Sequence, residues 1–482
     1  MTGLYISLAA VGALLLLLLL VILIRTAAFR PKKQEIDRVE CELFDKDSAI
    51  EALRKLIRCK TVSYYDKSLE DDGEFEKLIS LLPELYPEVH RVCEFKRLPD
   101  RALLFLWKGK SSENPSVMMA HYDVVPVEAE KWQKPPFDAI VEDGVLWGRG
   151  SLDTKVTFNA VLFAANTLIA SGYVPENDMY FAFSGGEEIN GAGAFNIVNY
   201  FVENGIHPEL VVDEGGAVVE NVFPGVRESC GLIGIAEKGM INLTFSVESN
   251  GGHASAPKPH TPIGELSAAC CKVENNPFPM HVTAPAGKMF DTLGRHSTFL
   301  YRMIFANMWL FRGVLNMISK KSGGEMNALL RTTVAFTQAS GSSAPNVIPP
   351  SASMVANMRL NPEDSVSSAV ERIKRIIEDP EISLSVGSSM EPSPISETDC
   401  DAYRKVAAAV SSTWQGCIVS PYLMVQCSDS RHYRDLSNHV YRFSAMDLTS
   451  EERKTIHGHN ERIRLDVASR AVEFYLRLMK QC

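Results

Sequence analysis

VMMAHYDVVP, residues 117–126, sets four apolar residues directly before a histidine and an aspartate two positions apart. A short apolar run bounded by turn-forming residues reads as a buried strand, here Val117–Ala120. His121 and Asp123 then stand at its carboxyl end, where ligands gather in an open α/β sheet. In an extended segment residues i and i+2 share a side, so Asp123 can orient the His121 ring. The same grammar recurs. FSGGEEING (183–191) follows the apolar run Met179–Phe183, and VVDEGG (211–216) continues the run Leu210–Val212 into Asp213. GRGSLDTK (148–155) bends at two glycines and places Asp153 where the helical spacing of Val156, Val161 and Leu168 begins. IHGHNER (456–462) adds His457 and, two residues on, His459, which is expected to be exposed or to support the site indirectly.

Strands alternating with helices imply an α/β sheet. Ala102–Trp107 reads as another strand, and Asp47-Ser48 as the cap of a helix carrying Ile50, Leu53, Leu56 and Ile57. From Gly239 the texture changes. Ile241–Val247, Thr332–Thr337 and Met354–Leu360 alternate polar and apolar residues, as half-exposed strands do. Ile263–Lys272 reads as a helix, and the apolar, aromatic stretch 289–318 as core, dimer surface or an acyl-chain wall. A strand-rich insertion in a two-part catalytic domain fits that order: 40–238, then 239–362 as a lid or dimerisation domain, then 363–482.

The N-terminus differs from all of this. Leu4 to Ile24 contains no charge, long enough as a helix to span a ~30 Å hydrocarbon core. A cleaved signal peptide wants a basic leader and a shorter apolar core, so residues 1–33 are expected to be a single-pass membrane anchor with a basic flank. Arg25, Arg30, Lys32 and Lys33 follow, and the positive-inside rule favours a cytoplasmic position for the body of the chain. The whole chain of 482 residues is 46% hydrophobic and 22% charged, which excludes a disordered or low-complexity protein. Its length exceeds what one core supports. A net charge of −10 argues against nucleic acid as a partner. Ten scattered cysteines, without C-x-x-C repeats, are expected to be free thiols.

Singly, each acidic or histidine motif has an ordinary structural explanation. Adjacent carboxylates such as Glu187 and Glu188, however, repel unless a cation or proton lies between them. Together, two histidines and three carboxylates at strand ends form a ligand set for two zinc ions sharing one carboxylate, with one glutamate of the 187/188 pair left as a base.

The pattern resembles the dizinc aminoacylase and carboxypeptidase metallopeptidases, over roughly residues 45–480 and in motif order. AHYDVVP, GRGSLDTK and LRTTVAFTQASGSSAPNVIPPSASMVANMRLNP (330–362) look most like the carboxypeptidase S branch, whose relatives include N-fatty-acyl-amino-acid synthase/hydrolases. The resemblance implies an α/β catalytic domain with a mixed, largely parallel sheet, interrupted by an α+β lid. It implies two zinc ions per chain, with cobalt or manganese as substitutes. His121 and Asp213 would bind one ion, His457 and Glu188 the other, and Asp153 both. Glu187 would be the general base and Asp123 the residue orienting His121. His253, in GGHASAP, would stabilise the oxyanion, in relatives often across a homodimer formed by the lid. Asn346, Arg359 and Arg431 would contact the substrate, a small peptide or N-acyl amino acid. The implied activity is release of a free amino acid from a terminal peptide or N-acyl amide; a non-catalytic binding or dimerising module on the same fold is the contrasting expectation. Gly185-Gly186 replaces the His-Asp usual in the family, Ala254 a common Ser, and Ser428 a Thr.

Overall fold

The computed structural model describes residues 2–32 and 38–482, so Lys33 of the expected basic flank lies outside it. Its strands, in chain order, are β1 (Glu94–Leu98), β2 (Ala102–Trp107), β3 (Ser111–His121), β4 (Ile140–Glu142), β5 (Val145–Trp147), β6 (Asn177–Ser184), β7 (Leu210–Val219) and β8 (Cys230–Glu237). There follow β9 (Gly239–Glu248), β10 (Gly252–His253), β11 (Thr333–Ser340), β12 (Val347–Ile348), β13 (Ser351–Leu360), β14 (Ser383–Met390), β15 (Ile418–Met424), β16 (Val440–Leu448) and β17 (Arg462–Arg464). The helices that matter below are α1 (Thr2–Ala28), α2 (Lys155–Ala170), α3 (Pro262–Asn275), α4 (Ala284–His296), α5 (Phe299–Ala306), α6 (Met308–Ser322), α7 (Val366–Ile377) and α8 (Leu465–Met479).

Eight strands form one mixed sheet in the order β1-β2-β6-β3-β7-β16-β8-β15. The pairs β6–β3, β3–β7, β7–β16 and β8–β15 are parallel. Its central strands are apolar on both faces because helices cover both, which is why they read as continuous runs rather than alternations. α2 is buried almost all round and packs between the sheet, α8 and the helix Lys46–Ile57. That last helix is capped two residues earlier than Asp47-Ser48 suggests: Asp45 accepts hydrogen bonds from the backbone N–H groups of both residues.

The second sheet has the order β11-β13-β9-β14 and is covered by α3 and α7, with Ile241, Leu243, Phe245, Leu266, Met358 and Ile373 in its core. The module differs from the expected 239–362 at its C-terminal end and in one internal stretch. The fourth strand, SLSVGSSM, extends the module to residue 390. Conversely α4, α5 and α6 leave it and pack on the large sheet, where Met289, Phe290, Phe305 and Leu315 share a core with Leu232, Ile418 and Leu423. A third, small sheet β17-β5-β4 ties the C-terminal segment to residues 140–147. All ten cysteines are free, and Cys271 alone is exposed.

Candidate active site

Three parallel neighbours, β6, β3 and β7, end on the same side, and their carboxyl ends carry the chemistry. β3 delivers His121 as its last residue, buried to 2% exposure. The turn into α2 delivers Asp153, whose carboxylate lies between two imidazoles. Its Oδ1 is 3.0 Å from His121 Nε2 and its Oδ2 is 3.0 Å from His457 Nε2. His457 Nε2 is also 3.0 Å from Glu188 Oε2. Asp153 is thus positioned to be shared, and Glu188 and His457 flank one of its oxygens.

The other side of the cluster departs from expectation. The carboxylate beside His121 is that of Glu214, with Oε1 3.4 Å from His121 Nε2, and not that of Asp213. Asp213 is directed away: Oδ1 accepts from the Glu214 N–H at 2.9 Å and Oδ2 from the Ser430 N–H at 2.8 Å. The cause is a bulge. The ladder between β7 and β16 shifts register between Asp213 and Gly216, with Gly215 at φ 149°, and a bulge re-aims the residue it carries. Gly216 is obligatory there, since a Cβ would stand 1.9 Å from the Leu232 carbonyl oxygen. The visible signal was the Gly-Gly pair after Asp213-Glu214, which marks a break in the strand.

Glu187 lies among these donors. One oxygen of Glu187, one of Glu214 and one His121 nitrogen fall within 4.8 Å of one another. Asp123 holds this arrangement from below. Its Oδ1 lies 3.3 Å from His121 Nδ1, and its two oxygens accept from the backbone N–H groups of Glu187 and Glu188 at 3.1 and 3.3 Å. At Gly185 the departure from His-Asp has a steric reason, since a Cβ there would sit 2.7 Å from the Tyr122 ring and 2.9 Å from Arg101 Cβ, whereas nothing in the structure explains Gly186. Tyr122, donating to the Arg101 carbonyl at 2.7 Å, fills that space.

Glu461 also escaped sequence reading. It is fully buried, pairs with Arg149 at 2.6 Å, and accepts from the backbone N–H groups of Gly150, Leu152 and Asp153. It therefore staples the Asp153 turn to the His457 loop, where His457 adopts a left-handed φ of 57°. The signal was a charged residue in each of GRGSLDTK and IHGHNER, which must pair if both motifs are buried. Glu461→Gln removes the counter-charge of a buried guanidinium and is expected to cost about 3–5 kcal/mol. Denaturant unfolding of the two proteins reads that difference; equal midpoints would show that Arg149 is satisfied without it.

Burial pushes Glu187 well above the ordinary carboxylate range, against the pull of His121. Burial and the Asp153 charge lift Glu188 to about 7, and burial lifts Glu214 to about 7 and Asp213 to about 6. Hydrogen bonds to Asp153 and Glu188 push His457 up to about 11. For Asp153 burial works upward, and the hydrogen bonds from both imidazoles outweigh it and hold the group low. Several acids crowded where ionisation is costly, around imidazoles that hold their protons, describe a site short of positive charge. The separations fit cations as well: 3.0–3.4 Å between donors matches the roughly 3.3 Å edge of a tetrahedron with ~2.0–2.1 Å bonds. Glu188 Oε1 is buried without a hydrogen-bond partner. The imidazole and carboxylate donors suit zinc, cobalt or manganese.

Arg431 borders the cluster, with Nη1 4.0 Å from Glu187 Oε1 and donating to the Ser428 carbonyl, and Nη2 donating to Asn190 Oδ1 at 3.3 Å. Arg359 reaches the same turn, donating to Cys427 Sγ at 3.3 Å. His253 and Asn346 are brought to each other and not to the cluster. They lie at the β10–β12 ladder, where the Ala254 N–H donates to the Asn346 carbonyl. Both are exposed, and His253 Nδ1 is engaged by Ser255. His459 is exposed, as expected.

The sequence pattern of peptidase family M20/M25/M40 matches residues 117–481. A probable carboxypeptidase S-like protein of Dictyostelium discoideum is 33% identical over 95% of this chain and 90% of its own length. The N-fatty-acyl-amino acid synthase/hydrolase PM20D1 of Xenopus tropicalis is 34% identical over 95% and 91%. Among solved structures, an M20 family metallo-carboxypeptidase from Sulfolobus solfataricus superposes with a TM-score of 0.66 at 16% identity, over 90% of this chain and 98% of the other. A dinuclear metal-binding peptidase of Bacillus subtilis superposes with a TM-score of 0.53 at 14% identity, over 90% and 98%.

Proposed function

The chain belongs to peptidase family M20/M25/M40 and is a metal-dependent peptidase or amidohydrolase, and from that premise we propose that it cleaves a terminal peptide or N-acyl amide and releases a free amino acid. The observation that carries the reading is Glu187, a largely but not fully buried carboxylate with raised proton affinity between the donor cluster and Arg431. Two divalent cations are proposed: His121, Asp153 and Glu214 would hold one, and His457, Asp153 and Glu188 would hold the other. When bound, such ions acidify a water and polarise the scissile carbonyl. Glu187 takes the proton of the attacking water as its oxygen bonds to the carbonyl carbon, and gives it to the amine nitrogen as the C–N bond breaks. Arg431 and Arg359, on either side of the 427–431 turn, clamp the substrate carboxylate. His253 and Asn346 serve the carbonyl oxygen and the substrate of a second copy in a lid-mediated homodimer.

Within this chemistry, an N-acyl amino acid is the preferred reading, its acyl chain assigned to the apolar side (Phe195, Val198, Val202, Met390) of a groove of about 720 Å³ beside Arg431 whose other side carries Glu391, Arg434 and Asp435. We assign α1 as an anchor rather than a removable leader, because its last turns belong to the fold: Ile22 and Thr26 are buried against α5. The full chain, purified with zinc and screened against short peptides and N-acyl amino acids, is expected to release free amino acid, to hold two ions, and to lose activity reversibly on chelation. Two bound ions with no release from either class would establish the non-catalytic module instead. A kcat/KM that does not rise with acyl length would remove the groove from acyl binding.

A further inference from the structure

The outward face of α5 and α6 is apolar where a helix facing water is polar. Phe299 and Leu300 open α5 at 50% and 68% exposure, and Trp309 and Met317 on α6 stand at 57% and 63%. Leu310, Val314 and Met317 recur at i, i+4 and i+7 and so share one face, while Leu315 and Ser319 fill the buried one. The charge of the stretch is equally one-sided. Between Asp291, which pairs with Arg295, and Glu325, the stretch carries Arg302, Arg312, Lys320 and Lys321 and no acid, within a chain of net charge −10. Exposed apolar side chains among cations alone are the chemistry of a helix lying at the boundary between lipid headgroups and acyl chains.

A third observation places this face. α1 carries a 25-residue apolar stretch, Leu4–Ala28, long enough to cross a bilayer, and its C-terminal end is fastened to the same helices. Asn307, fully buried between α5 and α6, donates to Thr26 Oγ1 at 3.3 Å and to the Ile22 carbonyl at 3.4 Å. Arg25 Nε donates to the Ala306 carbonyl at 3.2 Å, and the Arg295 guanidinium covers the Phe29 ring at 4.3 Å. The apolar face therefore begins where the span leaves the protein.

We infer that α5 and α6 are a membrane-seating surface: their apolar face enters the headgroup–acyl boundary of the bilayer that α1 crosses, with Arg312, Lys320 and Lys321 against anionic headgroups. The inference rests on α1 being an anchor and goes beyond it, because an anchor alone requires no surface of the body to enter the bilayer.

Trp309 makes the test direct, since Trp107, Trp132 and Trp414 are buried and Trp147 is half-buried. The full chain is reconstituted into phosphatidylcholine–phosphatidylserine vesicles whose acyl chains carry bromine, and tryptophan quenching is compared with Trp309→Phe. Wild type and variant are expected to float equally with the vesicles and to show the same circular dichroism, with most of the quenching lost in the variant. Floating protein whose quenching is absent, or unchanged by Trp309→Phe, overturns the seating surface and leaves the anchor intact. Protein that does not float overturns the anchor and the inference with it. Trp309 emission that changes on dilution of a detergent-solubilised dimer assigns the face to a second copy and overturns it too.

Discussion

Glu187→Gln is expected to lower amide hydrolysis by about 10²–10⁴-fold, the typical contribution of a positioned general base. The substitution keeps the shape of the side chain and removes its capacity to accept a proton. The backbone anchor is untouched, because Asp123 holds Glu187 through its main-chain N–H and not its carboxylate. Elemental analysis is expected to find the same two ions per chain, since His121, Asp153, Glu188, Glu214 and His457 remain. Loss of an ion would make Glu187 a ligand, a role its proximity to His121 and Glu214 also permits. Ordinary turnover would remove it from the chemistry altogether.

The second large effect separates two neighbours. Glu214→Gln is expected to reduce the chain from two tightly held ions to one and to abolish turnover. Asp213→Asn is expected to keep both ions and to destabilise the protein by about 1–3 kcal/mol, the range for leaving buried donors unsatisfied. Asp213 is fully committed to the N–H groups of Glu214 and Ser430, so an amide there sets donor against donor. The reverse pattern, with the ion lost from the Asp213 variant, would mean that the bulge at Gly215 does not hold in the metal-loaded protein and that Asp213 is the ligand.

The same two residues show what a sequence discloses about such a site and what it withholds. Val117–Ala120 before His121 and Met179–Phe183 before Gly185 are buried strands whose apolar runs have one plausible reading, and the acids beyond them fall where a parallel sheet puts them. At Asp213-Glu214 the resemblance names Asp213 while the folded ladder brings Glu214 beside His121, because Glu214 and Gly215 are both left out of the pairing with β16 and re-aim the side chains around them. Register is a property of the ladder with β16, which comes from more than 200 residues away in the chain. Glu461 was hidden for a related reason: its partners are Arg149 and three backbone amides, and only the folded chain brings them together. The lid boundary failed on composition. β14 is an edge strand, mostly exposed and rich in serine, so it lacks the apolar alternation that marks a strand in text. The apolar helices at 289–318 were visible as greasy, but which of their faces met protein and which did not depended on packing against β15.

The strand order has a consequence for how the protein is made. β16 lies between β7 and β8, although more than 200 residues of chain separate its synthesis from theirs. His457 and Glu461 are translated later still. While the chain emerges from the ribosome, the sheet carries an open slot at its centre and the acids at the ends of β6 and β7 have no opposing imidazole from the C-terminal segment. Neither the central ladder nor the second imidazole of the cluster can therefore form before residues 440–461 have been made, which makes completion of the site a late event in folding.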